Sequence, residues 1–121
     1  MKKSNTSIQN RTEDFAVRVI KAYVEINKRD FDDSLKILAK QFLRSGTSIG
    51  ANCAEAIYAQ SKNDFISKYS IALKEAAETQ YWIKIMIKSQ LIPQQKFSSM
   101  QQEIVEIIKI LTSTINKLKS K

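Results

Sequence analysis

The sequence of 121 residues contains no histidine, two glycines, one proline and one cysteine. Without histidine the chain cannot form a Ser-His-Asp or Cys-His catalytic arrangement, and it offers no histidine ligand to a metal. So little glycine and proline cannot supply the many turns of an all-β fold. The single cysteine, Cys53, cannot form an internal disulfide, and we expect it to be a small, buried and unreactive thiol.

Long apolar segments and ligand-binding motifs are absent as well. No apolar run approaches the roughly 20 residues that a membrane-spanning helix needs, and the polar first ten residues lack the apolar part of a signal peptide. We therefore expect a cytoplasmic protein without a membrane partner. No phosphate-binding or dinucleotide-binding glycine motif is present. Two carboxylate pairs, Glu75–Glu78 and Glu103–Glu106, are typical of solvated or salt-bridged helix edges, so we expect no metal, no cofactor and no enzymatic activity.

Helix-forming residues with a helical hydrophobic period make up most of the chain. Hydrophobic residues account for 43% of the sequence, and their spacing of three and four residues predicts four helices. The predicted helices lie at about 12–28, 31–60, 62–90 and 93–118. Their length and short connections favour an all-α, antiparallel up-down-up-down four-helix bundle in residues 12–121. Residues 1–11 are predicted to form a flexible basic arm.

Two of the predicted helices begin with recognisable capping residues. Thr12 is the predicted N-cap of the first helix. Ser61 and Asp64 resemble a capping box in front of the third helix. In the first helix, Ala16, Ile20 and Val24 are predicted to widen the apolar stripe that faces the core.

Both glycines, Gly46 and Gly50, lie inside the predicted second helix and are four residues apart, so they share one face. Each costs about 1 kcal/mol relative to alanine in a helix interior. Their neighbours between residues 44 and 56 are also mostly small, while Ile49 continues the apolar stripe. We therefore predict a shallow slot that receives a large side chain or another backbone, and we expect no chemical reaction there.

Four polar residues are predicted to have structural roles: Arg44, Asn52, Glu55 and Glu78. Asn52 lies in the slot, where a buried amide can fix helix register and the number of subunits. Arg44 and Glu55 are about 16 Å apart along one helix and cannot pair directly. Either can pair with another helix, for example through Glu78, or with a neighbouring subunit. The alternative is that all of them are separate surface charges.

The segment from Tyr81 to Ile87 is apolar around nearly its whole circumference and is interrupted only by Lys84. A helix that is apolar on all sides is buried on all sides. Tyr81, Trp82 and Ile85 therefore predict a second interface, with another subunit. The alternative is one thick core with a partly exposed tryptophan.

The formal net charge is +8, and the basic excess concentrates near both ends of the chain. This distribution favours attraction to an acidic polymer such as RNA or DNA. The solubility of a lysine-rich bundle is the competing explanation. The candidate phosphate contacts are Lys2, Lys3, Arg11, Lys84, Lys88, Lys117 and Lys119.

A spaced motif occupies the predicted second and third helices. It reads Arg44-x-x-x-Ser48-Ile49-x-x-Asn52-x-x-Glu55, followed by Glu78-Thr79 and Trp82. This motif resembles the bacterial four-helix bundle proteins encoded by intervening sequences in large-subunit ribosomal RNA genes, a family that includes the accessory variability proteins of diversity-generating retroelements. The resemblance covers about residues 12–119. The chain departs from the family at Ala56, where glycine is usual, and at Gln60, where arginine is common.

The resemblance implies an antiparallel four-helix bundle that assembles as a homopentamer with a basic surface or channel. For the retroelement members it implies binding of nucleic acid and of a reverse transcriptase. Two functions therefore stay open, an oligomer that binds RNA or DNA and a scaffold whose apolar faces recruit a partner protein. The motif positions and the glycines between them are interpreted as structural: Arg44, Gly46, Ser48, Ile49, Gly50, Asn52, Glu55 and Glu78.

Overall fold

The computed structural model describes residues 7–28 and 33–120. Within these ranges the chain forms four helices and no strands, as the hydrophobic period predicts. The helices are α1 (Ile8–Asn27), α2 (Asp33–Ala56), α3 (Lys62–Lys88) and α4 (Gln94–Lys119). None of them is long and apolar enough to cross a membrane.

Helices that follow one another in the chain run antiparallel and pack side by side. Between α2 and α3, the Ser45 side chain contacts Thr79. Further along α2, Glu55 contacts Lys68, which lies earlier in α3. The helix α4 closes the bundle against α1, so each helix packs beside two others and lies diagonally across from the third.

Each helix buries one stripe of side chains at the centre of this arrangement. The spacing of these residues follows the helical period, which explains why the sequence pattern predicts the core. The largest fully buried apolar side chains are Phe15, Val19, Leu35, Phe42, Ile49, Ile83, Met86, Ile104, Ile107 and Leu111. Cys53 is also buried, and desolvation raises the pKa of its thiol to about 11, which keeps it protonated at neutral pH.

The first helix begins at Ile8, four residues before the predicted start, and Ser7 caps it by accepting a hydrogen bond from the Asn10 backbone N–H at 3.1 Å. Thr12 is therefore not an N-cap. It is a buried residue in the first turns of α1. Its hydroxyl donates a hydrogen bond to the Ile8 carbonyl at 2.8 Å, so its polar group has a partner within the same helix. Of the predicted flexible arm, residues 8–11 are helical, and residues 1–6 lie outside the described part of the chain.

The predicted capping residues of α3 are confirmed. Ser61 accepts a hydrogen bond from the Asp64 backbone N–H at 3.0 Å, and the Asp64 carboxylate accepts one from the Gln60 backbone at 3.1 Å. These bonds satisfy backbone donors that the first turn of a helix leaves free. The helix α2 ends at Ala56, before its predicted end at about residue 60. Residues 57–61 form the connection to α3.

The C-terminal end of α3 closes with a left-handed residue. Gln90 has φ of 63°, and it is the one residue with positive φ among those described. The Gln90 N–H donates to the Ile87 carbonyl at 2.9 Å, and the Leu91 N–H donates to the Met86 carbonyl at 3.0 Å. This is the Schellman pattern of helix termination, in which glycine normally occupies the left-handed position.

Candidate functional site

The two glycines lie where α1 approaches α2 most closely. A Cβ added to Gly46 would lie 2.8 Å from a methyl carbon of Val19. A Cβ added to Gly50 would lie 3.1 Å from the backbone carbonyl oxygen of Thr12. The predicted slot therefore receives a large side chain at Gly46 and another backbone at Gly50. We call this contact the glycine seam.

Two motif residues beside the glycine seam form hydrogen bonds within α2. The Ser48 hydroxyl donates to the Arg44 carbonyl at 2.6 Å, and the Asn52 amide donates to the Ser48 carbonyl at 2.8 Å. Asn52 is half-buried, and the bond found for its side chain is local to the helix rather than one that joins two helices. Another motif residue, Ile49, is fully buried in the core.

A buried pair of hydroxyl groups joins α2 to α3, and sequence reasoning did not identify it. The Thr79 hydroxyl lies 2.8 Å from the Ser45 hydroxyl and 2.8 Å from the Glu75 carbonyl oxygen, and both side chains are fully buried. The available signal was the position of Thr79 in the apolar seam of α3, where a polar residue needs a partner once it is buried.

On the outer side of the same helix pair, Arg44 reaches from α2 to two carboxylates on α3. It donates to Glu78, and its guanidinium lies 3.2 Å from Glu75. The Trp82 indole N–H donates to the same Glu78 carboxylate at 2.9 Å. These hydrogen bonds, first from Trp82 and then from Arg44, lower the pKa of Glu78. We call these four residues the Arg44 cluster.

The remaining acidic motif residue, Glu55, also pairs across α2 and α3. Its carboxylate lies 2.9 Å from the Lys68 ammonium group. Arg44 and Glu55 thus bind separate partners on α3, as their distance along α2 requires. Both are exposed enough to water that their ion pairs contribute little stability.

Apolar side chains are also exposed on the outer side of α2 and α3. Tyr81 is 54% exposed and its ring lies 5.3 Å from that of Trp82. Ile85 is half-buried, and Ile37 on the neighbouring helix α2 is exposed. Tyr81, Trp82 and Ile85, which were predicted to form a subunit interface, therefore share one outward face of α3. We call these three residues the α3 patch.

A second exposed apolar stripe lies on α1 and was assigned wrongly from the sequence. Ile20 and Val24 were predicted to widen the inner stripe, but with Val17 they are between 44% and 47% exposed on the outer side of the helix. The sequence shows that these residues are apolar, but it does not show whether their side of the helix faces the core or the solvent. We call Val17, Ile20 and Val24 the α1 stripe.

The basic residues predicted to contact phosphates do not form one surface. Arg11 forms an ion pair with Glu103 at 2.8 Å, so its charge is neutralised within the bundle. Lys84 and Lys88 lie near the end of α3, whereas Lys117 and Lys119 lie near the end of α4. Because α3 and α4 are antiparallel, these pairs are at opposite ends of the bundle. The two remaining candidates, Lys2 and Lys3, lie outside the described residues.

One end of the bundle nevertheless has a strong excess of lysine. It is the end that carries the α1–α2 and α3–α4 connections, and we call it the lysine-rich end. Its lysines are Lys21, Lys36, Lys40, Lys84, Lys88 and Lys96. None of them forms an ion pair with another described residue, and the described acids near them are Glu25, paired with Lys28, and Asp33.

At the opposite end of the bundle, three cations are paired with acids, whereas Lys117 and Lys119 form no ion pair with another described residue. Lys109 lies 3.5 Å from Glu106, and this pair adds to the Arg11–Glu103 and Lys68–Glu55 pairs already described. Among the residues that the structure describes, the unpaired positive charge is therefore concentrated at the lysine-rich end. This difference gives the molecule a polarity along its long axis.

A groove of about 930 Å³ opens at the lysine-rich end, between α1, the α3–α4 connection and the start of α4. Its floor is mainly apolar and includes Ile26, Phe97 and Met100. Lys21 and Lys96 lie on its rim. Glu25 also lines the groove, which therefore combines an apolar floor with two lysines and one acid. In the described ranges, no three acidic or cysteine side chains are placed to hold a metal ion.

Comparisons with known proteins agree with this architecture. Residues 4–113 match the family of 23S rRNA-intervening sequence proteins. The chain is also similar to a crystal structure from Bacteroides thetaiotaomicron, described as a protein with unknown function from the S23 ribosomal protein family. The two share 41% identity and a TM-score of 0.82, over 90% of this chain and 98% of that chain. A search of curated proteins found no significant match.

Proposed function

The chain belongs to the 23S rRNA-intervening sequence protein family, and we propose that it is a non-enzymatic homo-oligomer that binds RNA or DNA through its lysine-rich end. The observation that carries this proposal is the concentration of six unpaired lysines at one end. At the other end, Arg11, Lys68 and Lys109 are paired with acids, and Lys117 and Lys119 are unpaired. A lysine that is already paired must break that pair before it can contact a phosphate. An unpaired lysine needs no such exchange.

Binding of this kind depends on phosphate charge and not on base sequence. If the six lysines of one copy each neutralise one phosphate, the logarithm of the binding constant should fall against the logarithm of salt concentration with a slope of about −4 for a single strand. A homo-oligomer presents several such ends, which raises the effective concentration of one site near another. We therefore expect tight binding at low salt and steep loss of binding as salt rises.

The test compares two double variants that remove equal charge from opposite ends. Lys84→Gln with Lys88→Gln should weaken binding of a labelled single-stranded RNA by about tenfold at low salt and reduce the salt slope. Lys117→Gln with Lys119→Gln is the matched control and should change affinity by less than about twofold, because these lysines lie at the opposite end. Fluorescence anisotropy between about 50 and 200 mM salt measures both.

Two results would refute this proposal. Wild-type protein that does not bind the RNA at low salt would remove the nucleic-acid function. An equal loss of affinity in both double variants would move the binding surface away from the lysine-rich end. Circular dichroism of each variant checks that the bundle is intact.

A narrower form of the proposal makes the oligomer an accessory of a reverse transcriptase, as the resemblance to the retroelement proteins implies. The homopentameric state belongs to this narrower form too. Light scattering gives the number of subunits, and co-purification with a reverse transcriptase encoded in the same genome tests the partnership. A mass that differs from five subunits would remove the pentamer without affecting RNA binding.

The groove at the lysine-rich end favours a second candidate function, in which the protein recruits a partner polypeptide. Apolar side chains on its floor and two lysines on its rim suit an amphipathic segment with acidic residues beside its apolar face. Affinity purification from the native host, with and without nuclease, separates the two functions. A protein that is retained after nuclease treatment, without bound nucleic acid, favours the scaffold.

A further inference from the structure

The bundle exposes two apolar surfaces that cannot meet within one copy. The α1 stripe and the α3 patch lie on helices that are diagonal to each other, since α1 and α3 each pack against α2 and α4. Their outer faces therefore point away from each other on opposite sides of the molecule. An interface that joins two different surfaces of identical subunits is heterologous, and such interfaces form closed rings or open filaments.

The two surfaces lie at the same height along the bundle. Val19 of α1 meets Gly46, and the adjacent residue Ser45 meets Thr79 of α3. Val19 and Thr79 are thus at the same level, and their numbers differ by 60. Since α1 and α3 run in the same direction, each residue of α1 lies level with the α3 residue whose number is about 60 higher.

This offset aligns the apolar residues of the two surfaces. Ile20 lies within one residue of the level of Tyr81, and Val24 lies within one residue of the level of Ile85. One residue corresponds to about 1.5 Å along a helix, which is smaller than the side chains themselves. Two copies placed side by side and pointing in the same direction would therefore bring apolar residues opposite one another.

One pair of charged residues beside these surfaces is complementary in the same alignment. Glu13 lies next to the α1 stripe, one turn before Val17, and the same offset places it within one residue of the level of Lys74. Glu13 and Lys74 are exposed, and neither lies within ion-pair distance of another described residue, while the charge of Lys74 is one of those that lower the pKa of Glu78. Opposite charges at matching heights favour a second copy of this chain as the partner.

We propose that the α1 stripe of each copy packs against the α3 patch of the next, with all copies pointing in the same direction and Glu13 facing Lys74 of the neighbour. This inference rests on the homo-oligomer of the proposed function and specifies its contact surfaces. Closure of the repeated contact gives a cyclic ring. Because the copies are parallel, every lysine-rich end lies on the same side of that ring.

The indole N–H of the α3 patch is prepared for such a contact. The Trp82 indole N–H already donates to Glu78, and Glu78 is paired with Arg44. Covering the ring of Trp82 therefore leaves no unsatisfied donor, which would otherwise oppose burial. The Arg44 cluster holds Trp82 in position for the neighbouring copy.

Two complementary variants test this arrangement. Ile20→Asp blocks the α1 stripe and leaves the α3 patch intact, whereas Tyr81→Asp blocks the α3 patch and leaves the α1 stripe intact. Both residues are about half exposed, so both variants should fold. Each variant alone should have the monomer mass of 13.9 kDa in light scattering. An equimolar mixture should form a dimer of twice that mass, because one intact contact remains and no further copy can add.

A charge exchange provides an independent test of the register. Glu13→Lys should weaken assembly by up to about fivefold, the upper end of the range for an exposed ion pair. Adding Lys74→Glu to the same chain should restore assembly, since each contact then pairs the same charges in reverse.

Three results would overturn the proposed contact. They are a mixture that stays at the monomer mass, a single variant that keeps the wild-type mass, and a double charge variant that is no better than Glu13→Lys. Wild-type protein that is monomeric would overturn it as well. These masses are measured without nucleic acid, so failure of this contact is distinct from failure of RNA binding by the lysine-rich end.

Discussion

The second helix contacts its two neighbours in different ways. Toward α1 it presents Gly46 and Gly50, and the contact depends on the close approach of Val19 and the Thr12 backbone. Toward α3 it presents Ser45 inside the bundle and Arg44 outside, and the contact includes hydrogen bonds and ion pairs. The glycine seam is thus steric, whereas the α2–α3 contact is polar.

This difference determines which changes each contact tolerates. The glycine seam has no room for added atoms, and packing interiors resist overfilling because neighbours can move only slightly. The α2–α3 contact can accept changes of size at its exposed edge but requires matching donors and acceptors. The first contact should therefore respond to volume and the second to hydrogen bonding, salt and pH.

The largest expected effect comes from filling the glycine seam. Gly46→Leu should lower the free energy of unfolding by about 3 kcal/mol, because its side chain has to enter the space held by Val19. The control is Ala54→Leu, an exposed position on the same helix, which should change stability by less than about 0.5 kcal/mol. Urea denaturation followed by circular dichroism measures both.

A milder pair of variants tests the same close contact if Gly46→Leu does not fold. Gly46→Ala places one carbon 2.8 Å from Val19, and Val19→Ala removes the methyl groups that it meets. The double variant should be more stable than the sum of the two single effects predicts. Strict additivity would show that these residues do not press against each other.

A smaller loss is expected from the buried hydroxyl pair of the polar contact. Thr79→Val keeps the shape of the side chain but removes the hydroxyl that donates to Ser45, whose own hydroxyl lies 3.5 Å from the Phe42 carbonyl oxygen. The free energy of unfolding should fall by about 1–2 kcal/mol, the cost of an unsatisfied buried hydroxyl. Adding Ser45→Ala should recover part of the loss; a further drop in stability would contradict this account.

A change of backbone conformation at the end of α3 affects stability without involving either contact of α2. Gln90→Gly should raise the free energy of unfolding by up to about 1 kcal/mol, because glycine adopts the left-handed conformation at φ of 63° without steric cost. Gln102→Gly, at an exposed interior position of α4, should instead lower it by about 1 kcal/mol. Thermal unfolding distinguishes the two, and equal effects would exclude conformational strain at Gln90.

The sequence predicts the four helices and the core because both follow from hydrophobic period. It also points to the glycines, since two of them at helical spacing need a compensating contact. It cannot show that Arg11 is paired, because Glu103 lies 92 residues away in the chain. The misassigned Ile20 and Val24 have a similar cause. A wide apolar stripe does not show which of its edges is covered by a neighbouring helix and which is left for another molecule.

The last prediction concerns pH, which should change the stability contributed by the α2–α3 contact but not that contributed by the glycine seam. Hydrogen bonds from Trp82 and Arg44 lower the pKa of Glu78 in the folded protein. The stability that this carboxylate contributes is therefore fully present above its unfolded pKa, near 4.5, and is lost as pH falls through the lower folded value. Glu78→Gln cannot lose a charge, so its stability should approach that of the wild type as the medium becomes acidic.

A variant of the glycine seam should behave differently, because that contact has no group that titrates in acid. Gly46→Ala should shift the free energy of unfolding by the same amount at pH 7 and at about pH 3, whereas the gap between Glu78→Gln and the wild type should narrow over this range. Urea denaturation at several pH values measures both gaps. Two curves that remain parallel would mean that the Arg44 cluster holds α2 and α3 together by packing alone, and the steric and polar contacts would then not differ in kind.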